Sequence, residues 1–312
     1  SRDRGRADEF ASKHSALAAY TSVEELLADS RVDVAFVASP NNLHAAHVEL
    51  AAKAGKHVLV EKPMATTVND CVGMVKACKA GGVKLGVGFQ LRYHPGHVEA
   101  SRLVREGGLG VVALAQVLLG SGVRGQVKGD PRTGLRGWWE SPEMVGNSRS
   151  MIGTGVHCVD DLEFILGQTV VEVAAITDGQ TAETPLENLV SLSLMFSGGA
   201  IGTMCCGSRI PDAINDLTVY GSDGRILLRN AASPSLGGSL EVTSETGNSE
   251  ASYEPDPLAL AKWQIEGFNQ AISRDEDPRA SGLDGLRSVQ ITEAMIESVR
   301  TKRTVRVEPI LT

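Results

Sequence analysis

Long apolar runs are missing from this chain of 312 residues. Nothing in it approaches the ~20 consecutive apolar residues of a membrane-crossing helix, so no membrane partner is expected. The opening SRDRGRADEF is charged from its first residue and does not read as a secretion signal. A basic excess is missing too: the formal net charge is −8 and the pI near 5.4, against a nucleic-acid partner, because such domains are usually basic. Cysteine is scarce. Cys71, Cys78, Cys158, Cys205 and Cys206 are odd in number and form no C-x-x-C pair, so neither a disulfide framework nor a zinc cluster is expected, and a reducing, cytoplasmic setting fits best. His44/His47 and His94/His97 have spacings a metal could use, but the partners that would complete a ligand set are absent, and no metal site is expected.

What is present is an ordinary globular composition, 42% apolar and 22% charged, in a chain long enough for two domains. VDVAFVAS (32–39), HVLVE (57–61) and VKLGVGF (83–89) are short apolar runs, read as strands buried on both faces. Between them NLHAAHVELAAKAG (42–55) and VNDCVGMVKACKAGG (68–82) carry apolar residues at helical spacing and end in glycine. Thr21 to Glu24 reads as a capping box before a short helix, and Thr67 as a further cap. Strand–helix alternation with short links means βαβ units and a parallel sheet.

After about residue 97 the pattern changes. A helix at 97–110 is followed by strands VVALAQVLLG, VVEVAAITD, LVSLSLMFSGG, AIGTMCC, DLTVYGSDG and RILLRN. Their short polar or glycine links predict an antiparallel or mixed sheet. GTGVHCVDDLEFILG (153–167) interrupts as a helix, and two amphipathic helices close the chain.

GSGVRG (120–125) matches G-x-G-x-x-G, a spacing that lets backbone approach a pyrophosphate at a helix N-terminus. QVKGDPRTGLRGWW follows it, with Pro131 and further glycines. It does not read as a helix, so Gly120, Gly122 and Gly125 are read as a glycine-rich loop. In the parallel part no such fingerprint exists. A doubly wound domain opens on a strand and a glycine turn, whereas this chain opens on the helix-like RADEFASKH. The expectation is that about 30 residues, one strand and its turn, are missing ahead of Ser1.

Ligands of open α/β sheets bind beyond the carboxyl ends of the strands, which brings Asn41, Glu61 and Lys62 to one edge. At these residues the chain resembles the Gfo/Idh/MocA oxidoreductases, the family of glucose–fructose oxidoreductase and inositol dehydrogenase. P-N-x-x-H stands at Pro40, Asn41 and His44, A-G-K-H-V-x-x-E-K-P at Ala54 to Pro63, and G-x-H-x-x-D at Gly155, His157 and Asp160. The likeness runs from residue 1 to the terminal TVRV. It implies an α/β fold: a Rossmann-type doubly wound parallel sheet over 1–97, lacking its first strand, and an α+β domain with a large open, mainly antiparallel sheet over 98–312, the last helices packing back on the first part. It also implies a homodimer or homotetramer, and NAD(P)-linked hydride transfer on a sugar, cyclitol or related polyol.

The resemblance assigns roles residue by residue. Lys62 matches the active-site lysine, a cation that stabilises charge on a reacting oxygen and, when desolvated, can move a proton. Pro63 is expected to be cis. His157 matches the histidine facing substrate, suited to acid/base work. Asp160, one turn on, either orients His157 or is structural. Gly153 stands where the family usually carries an aspartate, so either His157 works alone or another group replaces the carboxylate. Ser39, Pro40, Asn41, His44, Glu61, Lys62 and Gln90 are the expected cofactor contacts. Ser1, Arg2 and Arg6 fall where a ribose-binding residue belongs; arginine there favours NADP over NAD, with Asp3 as the counterweight. Arg92, Tyr93, Arg136, Trp138 and Trp139 are expected substrate contacts, the tryptophans being equally good core or interface material. Two other uses of the fold stay open: glycoside cleavage by transient oxidation on retained NAD, and a non-catalytic sensor like the family's galactose-pathway repressor. Retention of Lys62 and His157 tells against the sensor.

Overall fold

The computed structural model describes residues 1–126, 131–233, 235–245 and 247–310. Two helices lead, α1 (Arg4–Lys13) and α2 (Val23–Ala28). Then β1 (Val34–Val37), α3 (His44–Lys53), β2 (His57–Val60), α4 (Val68–Ala80) and β3 (Leu85–Val87) alternate. The three strands pair in parallel in the order β1-β2-β3, with Val37 opposite Val60 and Val60 opposite Val87. α2 is capped one residue later than the sequence reading: Ser22, not Thr21, accepts from the Glu25 amide, while Glu25 reaches back to the Thr21 N–H. Both candidates are hydroxyls, and backbone direction chooses between them.

α5 (Pro95–Arg105) leads to β4 (Val112–Gly120). A 3₁₀ run (Gly134–Glu140) and a π turn (Met151–Gly155) precede α6 (Val156–Leu166). Then follow β5 (Val170–Thr177), β6 (Leu189–Phe196), β7 (Ile201–Gly207), β8 (Leu217–Gly221), β9 (Gly224–Arg229), β10 (Ser239–Ser244), β11 (Gly247–Ser252), α7 (Ala259–Arg274), α8 (Gly282–Thr301) and β12 (Val305–Arg306). The second sheet has nine strands, ordered β11-β10-β9-β8-β4-β7-β6-β5-β12, antiparallel except for the β4–β7 pair. GSGVRG starts on the last residue of β4, and the described residues that follow it, up to Gln126, carry no helix. The β10–β11 hairpin has no counterpart in the sequence reading, because GNSEAS carries no apolar face at all.

Each sheet buries what its pattern dictates. In β6, Val190, Leu192, Leu194 and Phe196 point inward while Ser191, Ser193 and Met195 alternate outward. The inward set packs on α6 and α8 through Leu162, Ile165, Ile291 and Met295. The other core surrounds β2 and β3 with Val48, Met64, Met74 and Phe89, and it takes in Val156 from α6 and Leu286 and Val289 from α8. α8 therefore belongs to both cores. The seam is tight at Gly285, where a Cβ would lie 2.6 Å from Met64 Sδ and 2.8 Å from Val87 Cγ2.

No helix among the described residues is long and apolar enough to cross a membrane, and no three His, Cys, Asp or Glu among them come together as a metal site.

Gly285→Ala forces that seam apart. Overpacking of this kind costs about 1–3 kcal/mol, so the urea midpoint should fall with the slope m unchanged, read by circular dichroism.

Candidate active site

β2 runs out at Val60, and Glu61, Lys62 and a cis Lys62–Pro63 bond follow at the carboxyl edge of the parallel sheet. His44, buried at the start of α3, fixes this turn. Its Nδ1 lies 3.0 Å from the Pro63 carbonyl oxygen and its Nε2 2.8 Å from that of Ser39. This side chain thus sits between the end of β1 and the end of β2, the single N–H of a neutral ring donating to one of the two carbonyls, and both its nitrogens face main chain. Ser39 Oγ is itself engaged with His47 Nδ1 at 3.0 Å. Pro40 precedes a 3₁₀ turn that buries Asn41, whose Nδ2 has no partner. An unpaired buried donor is expensive in a finished protein, so Asn41 has the character of a ligand contact.

Lys62 Nζ donates to the carbonyl oxygen of Gly153 at 2.7 Å. Burial pushes its pKa down; Glu61 opposes that and Arg132 adds to it. The carboxyl of Glu61 is pushed up by burial against the pull of Lys62. The acceptor for Lys62 is therefore a neutral main-chain oxygen, at the position where the sequence comparison with the family looked for a carboxylate. A side chain at 153 would meet only Trp139, at 3.8 Å from its Cβ.

The π turn that presents Gly153 is anchored by Glu187, which is fully buried. Glu187 Oε1 accepts from Ser148 Oγ at 2.6 Å and from the amides of Arg149, Ser150 and Met151 at 2.9, 2.9 and 3.0 Å. Its Oε2 accepts from Gln180 Nε2 at 2.8 Å. A carboxylate on the free amides that open a helix is favourable in charge and geometry alike. Sequence reasoning missed Glu187: the four partners that tie it to this turn lie 36 to 39 residues earlier, beyond any local pattern.

His157, on the first turn of α6, is buried with Nδ1 unpartnered. Burial, then the charge of Lys62, push its pKa well below the usual histidine value, so the ring is neutral at pH 7. Phe89 meets it edge-on with ring centroids 6.2 Å apart.

Of the two readings of Asp160 the structure favours the structural one, and the expectations for Arg92 and Tyr93 are corrected. Asp160 does not orient His157: both its oxygens accept from Arg92, with Nη2–Oδ1 at 2.8 Å and Nε–Oδ2 at 3.0 Å. Burial pushes this carboxyl up, to about 7, against the pull of Arg92. Arg92 in turn is not open to substrate. It is buried, with Nη2 also on Asp284 Oδ1 at 2.9 Å and Nη1 on the Arg279 carbonyl at 2.8 Å. Tyr93 is likewise spent on packing: its ring fills the space beside Gly267 of α7, and Arg279 lies 4.9 Å over it. Gln90, half-buried at the start of the same 3₁₀ turn, keeps its amide free of hydrogen bonds among the described residues.

The remaining expected residues fall in two places. Trp138 and Trp139 stack with centroids 4.7 Å apart against Val145, Ile152 and Leu186, which puts Trp139 beside Gly153 and hence beside Lys62. Arg136 is exposed on the same 3₁₀ run. Ser1, Arg2 and Arg6 are exposed at the N-terminal start. There Asp3 caps α1 by accepting from the Arg6 amide at 2.8 Å, so its carboxylate is already committed.

Comparison with known proteins agrees with the fold. The chain matches a family model described as an oxidoreductase family with an NAD-binding Rossmann fold over residues 1–89, and the GFO/IDH/MocA C-terminal domain over residues 97–227. It is 30% identical over 310 residues to 1,5-anhydro-D-fructose reductase of Ensifer adhaerens, covering 99% of this chain and 89% of that one. It is 28% identical over 308 residues to D-xylose 1-dehydrogenase (NADP(+)) 2 of Haloferax volcanii, covering 99% and 90%. Among solved structures, aldose-aldose oxidoreductase from Caulobacter crescentus complexed with glycerol superimposes with a TM-score of 0.85 at 27% identity, covering 97% of this chain and 89% of that one. A levoglucosan dehydrogenase complex with NADH and levoglucosan shares the fold, with a TM-score of 0.86 at 20% identity, covering 99% and 88%.

Glu187→Gln removes the charge from five hydrogen bonds and turns an NH₂ toward Gln180. The expected loss is about 1–3 kcal/mol of stability, read from chemical denaturation.

Proposed function

The chain belongs to the Gfo/Idh/MocA family of NAD(P)-dependent oxidoreductases, and from that premise we propose that it passes a hydride to or from a carbinol carbon of a sugar, cyclitol or related polyol at the Lys62 edge. The observation that carries this reading is the half-buried Lys62, its nitrogen held at 2.7 Å by a neutral carbonyl, with a neutral His157 close enough to feel its charge. The nicotinamide cofactor, when bound, supplies the hydride acceptor or donor. The residues at the strand ends fit such a group: Pro40 and Asn41 with its unpaired Nδ2, Glu61, and Gln90 with its free amide, on a frame held by Ser39 and His44. In this reading residues 1–97 form the dinucleotide-binding part and 98–312 the substrate part.

NADP is favoured over NAD. Asp3, the acidic side chain that would suit a ribose 2′-hydroxyl, is used as a helix cap and pairs with Arg6 at 3.8 Å, while Ser1 and Arg2 are exposed beside it for a 2′-phosphate. The relative from Haloferax volcanii, whose name specifies NADP(+), is in keeping with this.

Lys62 handles the proton. A lysine whose pKa is pushed below its usual value keeps a neutral fraction nearer neutral pH. In the oxidising direction the amine takes the hydroxyl proton as hydride leaves carbon; in the reducing direction the ammonium returns it. His157 Nδ1, buried and unpaired, is the second group able to hold the reacting oxygen. Asp160 acts only through the fold, by fixing Arg92.

The outer face of the nine-stranded sheet exposes Ile176, Met195, Ile201 and Tyr220. A second copy of this chain covers it in our reading, as a homodimer or homotetramer; the setting is cytoplasmic, in keeping with cysteines that are all free.

Lys62→Met should lower kcat by about 10²- to 10⁴-fold, the usual range for acid/base catalysis, while cofactor affinity changes little. Near-normal turnover by this variant would sink the assignment. Turnover without added cofactor and without net nicotinamide reduction would instead select glycoside cleavage by transient oxidation. Gly153→Asp tests the lysine's environment: the new carboxylate stabilises the ammonium and raises its pKa. The rising limb of the pH profile for oxidation should therefore move to higher pH, read from initial rates.

A further inference from the structure

Among the described residues, the loop that carries the tryptophans holds two arginine side chains, Arg132 and Arg136, with no ion-pair partner. Arg132 places its guanidinium 4.2 Å over the Trp139 ring and makes no ion pair among the described residues. Its neighbour Glu140 is spent: Oε2 pairs with Arg149 Nη2 at 2.6 Å, and Oε1 accepts from the Arg132 backbone amide at 3.0 Å. Glu143 turns to its own backbone and Ser141. Arg136 is exposed and equally unpaired among the described residues. In a chain of net charge −8 this is a local reversal of sign, and it borders the lysine. Burial, then Arg136 and Arg149, push the Arg132 guanidinium below its usual value against the pull of Glu140, and Arg132 in turn bears on Lys62.

The aromatic pair explains the placement. Trp139 already stacks on Trp138 and carries Arg132, and its edge faces Gly153. It braces an arginine beside the site rather than offering an open platform for a sugar ring. Stacking on an aromatic and a planar two-pronged donor are what distinguish arginine from lysine in recognising carboxylates and phosphates. In dinucleotide-binding domains of this type a cofactor pyrophosphate is held at a glycine turn and helix N-terminus of the parallel sheet, not by an arginine loop of the second part.

We propose that the substrate is a sugar or polyol bearing an anionic group, a carboxylate or a phosphate ester, which Arg132 binds while Lys62 faces the reacting carbon. This rests on the oxidoreductase reading of the Lys62 edge and specifies its substrate class. Arg132 is a specificity residue, and Arg136 adds charge without contact.

The test compares D-glucuronate, D-glucose 6-phosphate and D-glucose with the wild type, Arg132→Gln and Arg132→Lys, using NADP and NAD. With the wild type, one of the two anionic sugars should exceed glucose in kcat/KM, and which one identifies the group. Arg132→Gln should lower that value roughly 10- to 100-fold through KM, a larger loss than glucose shows, with the NADP dissociation constant unchanged. Arg132→Lys, which keeps the charge but loses the fork, should fall between. Glucose used as well as the anions, an equal loss for all three sugars, or weaker NADP binding in Arg132→Gln would overturn the proposal while leaving hydride transfer standing. Tryptophan fluorescence titration with the same sugars reads binding without turnover. Arg132-dependent, salt-sensitive binding of an anion by a protein that reduces no nicotinamide would overturn the oxidoreductase reading instead. No preference for an anion in the titration overturns the proposal directly.

Discussion

A lysine nitrogen taken out of water must find a partner or give up its charge. Lys62 has the Gly153 carbonyl at 2.7 Å, and most of the fold around it bears on keeping that contact in place. From one side, His44 sits between the turn after β2 and the turn after β1. From the other, Glu187 gathers the amides that open the π turn carrying Gly153. Behind both, Gly285 of α8 lets Met64 and Val87 close up directly after the lysine's strand. These groups come from different parts of the chain, so neither sheet alone contains the site.

A second set of charges lies at the same junction and does different work. Arg92 bridges Asp160 of α6 and Asp284 at the start of α8, with its remaining nitrogen on the Arg279 carbonyl. Ion pairs this deeply buried gain little net free energy, because desolvation takes back most of the attraction. What they contribute is selectivity: any other docking of α6 on α8 leaves the buried Arg92 and Asp160 without each other. The motif G-x-H-x-x-D thus holds one residue of the proposed site, His157, and one for the scaffold, Asp160.

Much of this was legible in the sequence. The two periodicities marked the parallel and antiparallel parts, and the strand-end position of Lys62 followed from the alternation around it. What escaped was set by distance along the chain. Lys62 and Gly153 are 91 residues apart, Arg92 and Asp160 are 68 apart, and Glu187 stands 36 or more from each amide it holds. No local pattern records such pairings. Residue type misled in another way. Arg92 and Tyr93 looked like ligand contacts because they follow a strand at the ligand edge, yet the 3₁₀ turn there swings both toward α6 and α7. β11 went unread for the opposite reason: an edge strand with every residue exposed has no apolar signature to read.

The π turn at Met151–Gly155 has one further consequence. Such a turn is an α-helix that has gained a single residue. Deleting one residue there would restore the regular ladder and rotate everything ahead of it by about 100° about the helix axis. Gly153 would then direct its carbonyl elsewhere, with every side chain of α6 still in place. The alignment of the two halves of the site is held as a residue count, and homologues that differ by one residue in this turn would be separate catalytic designs even where their motifs agree letter for letter.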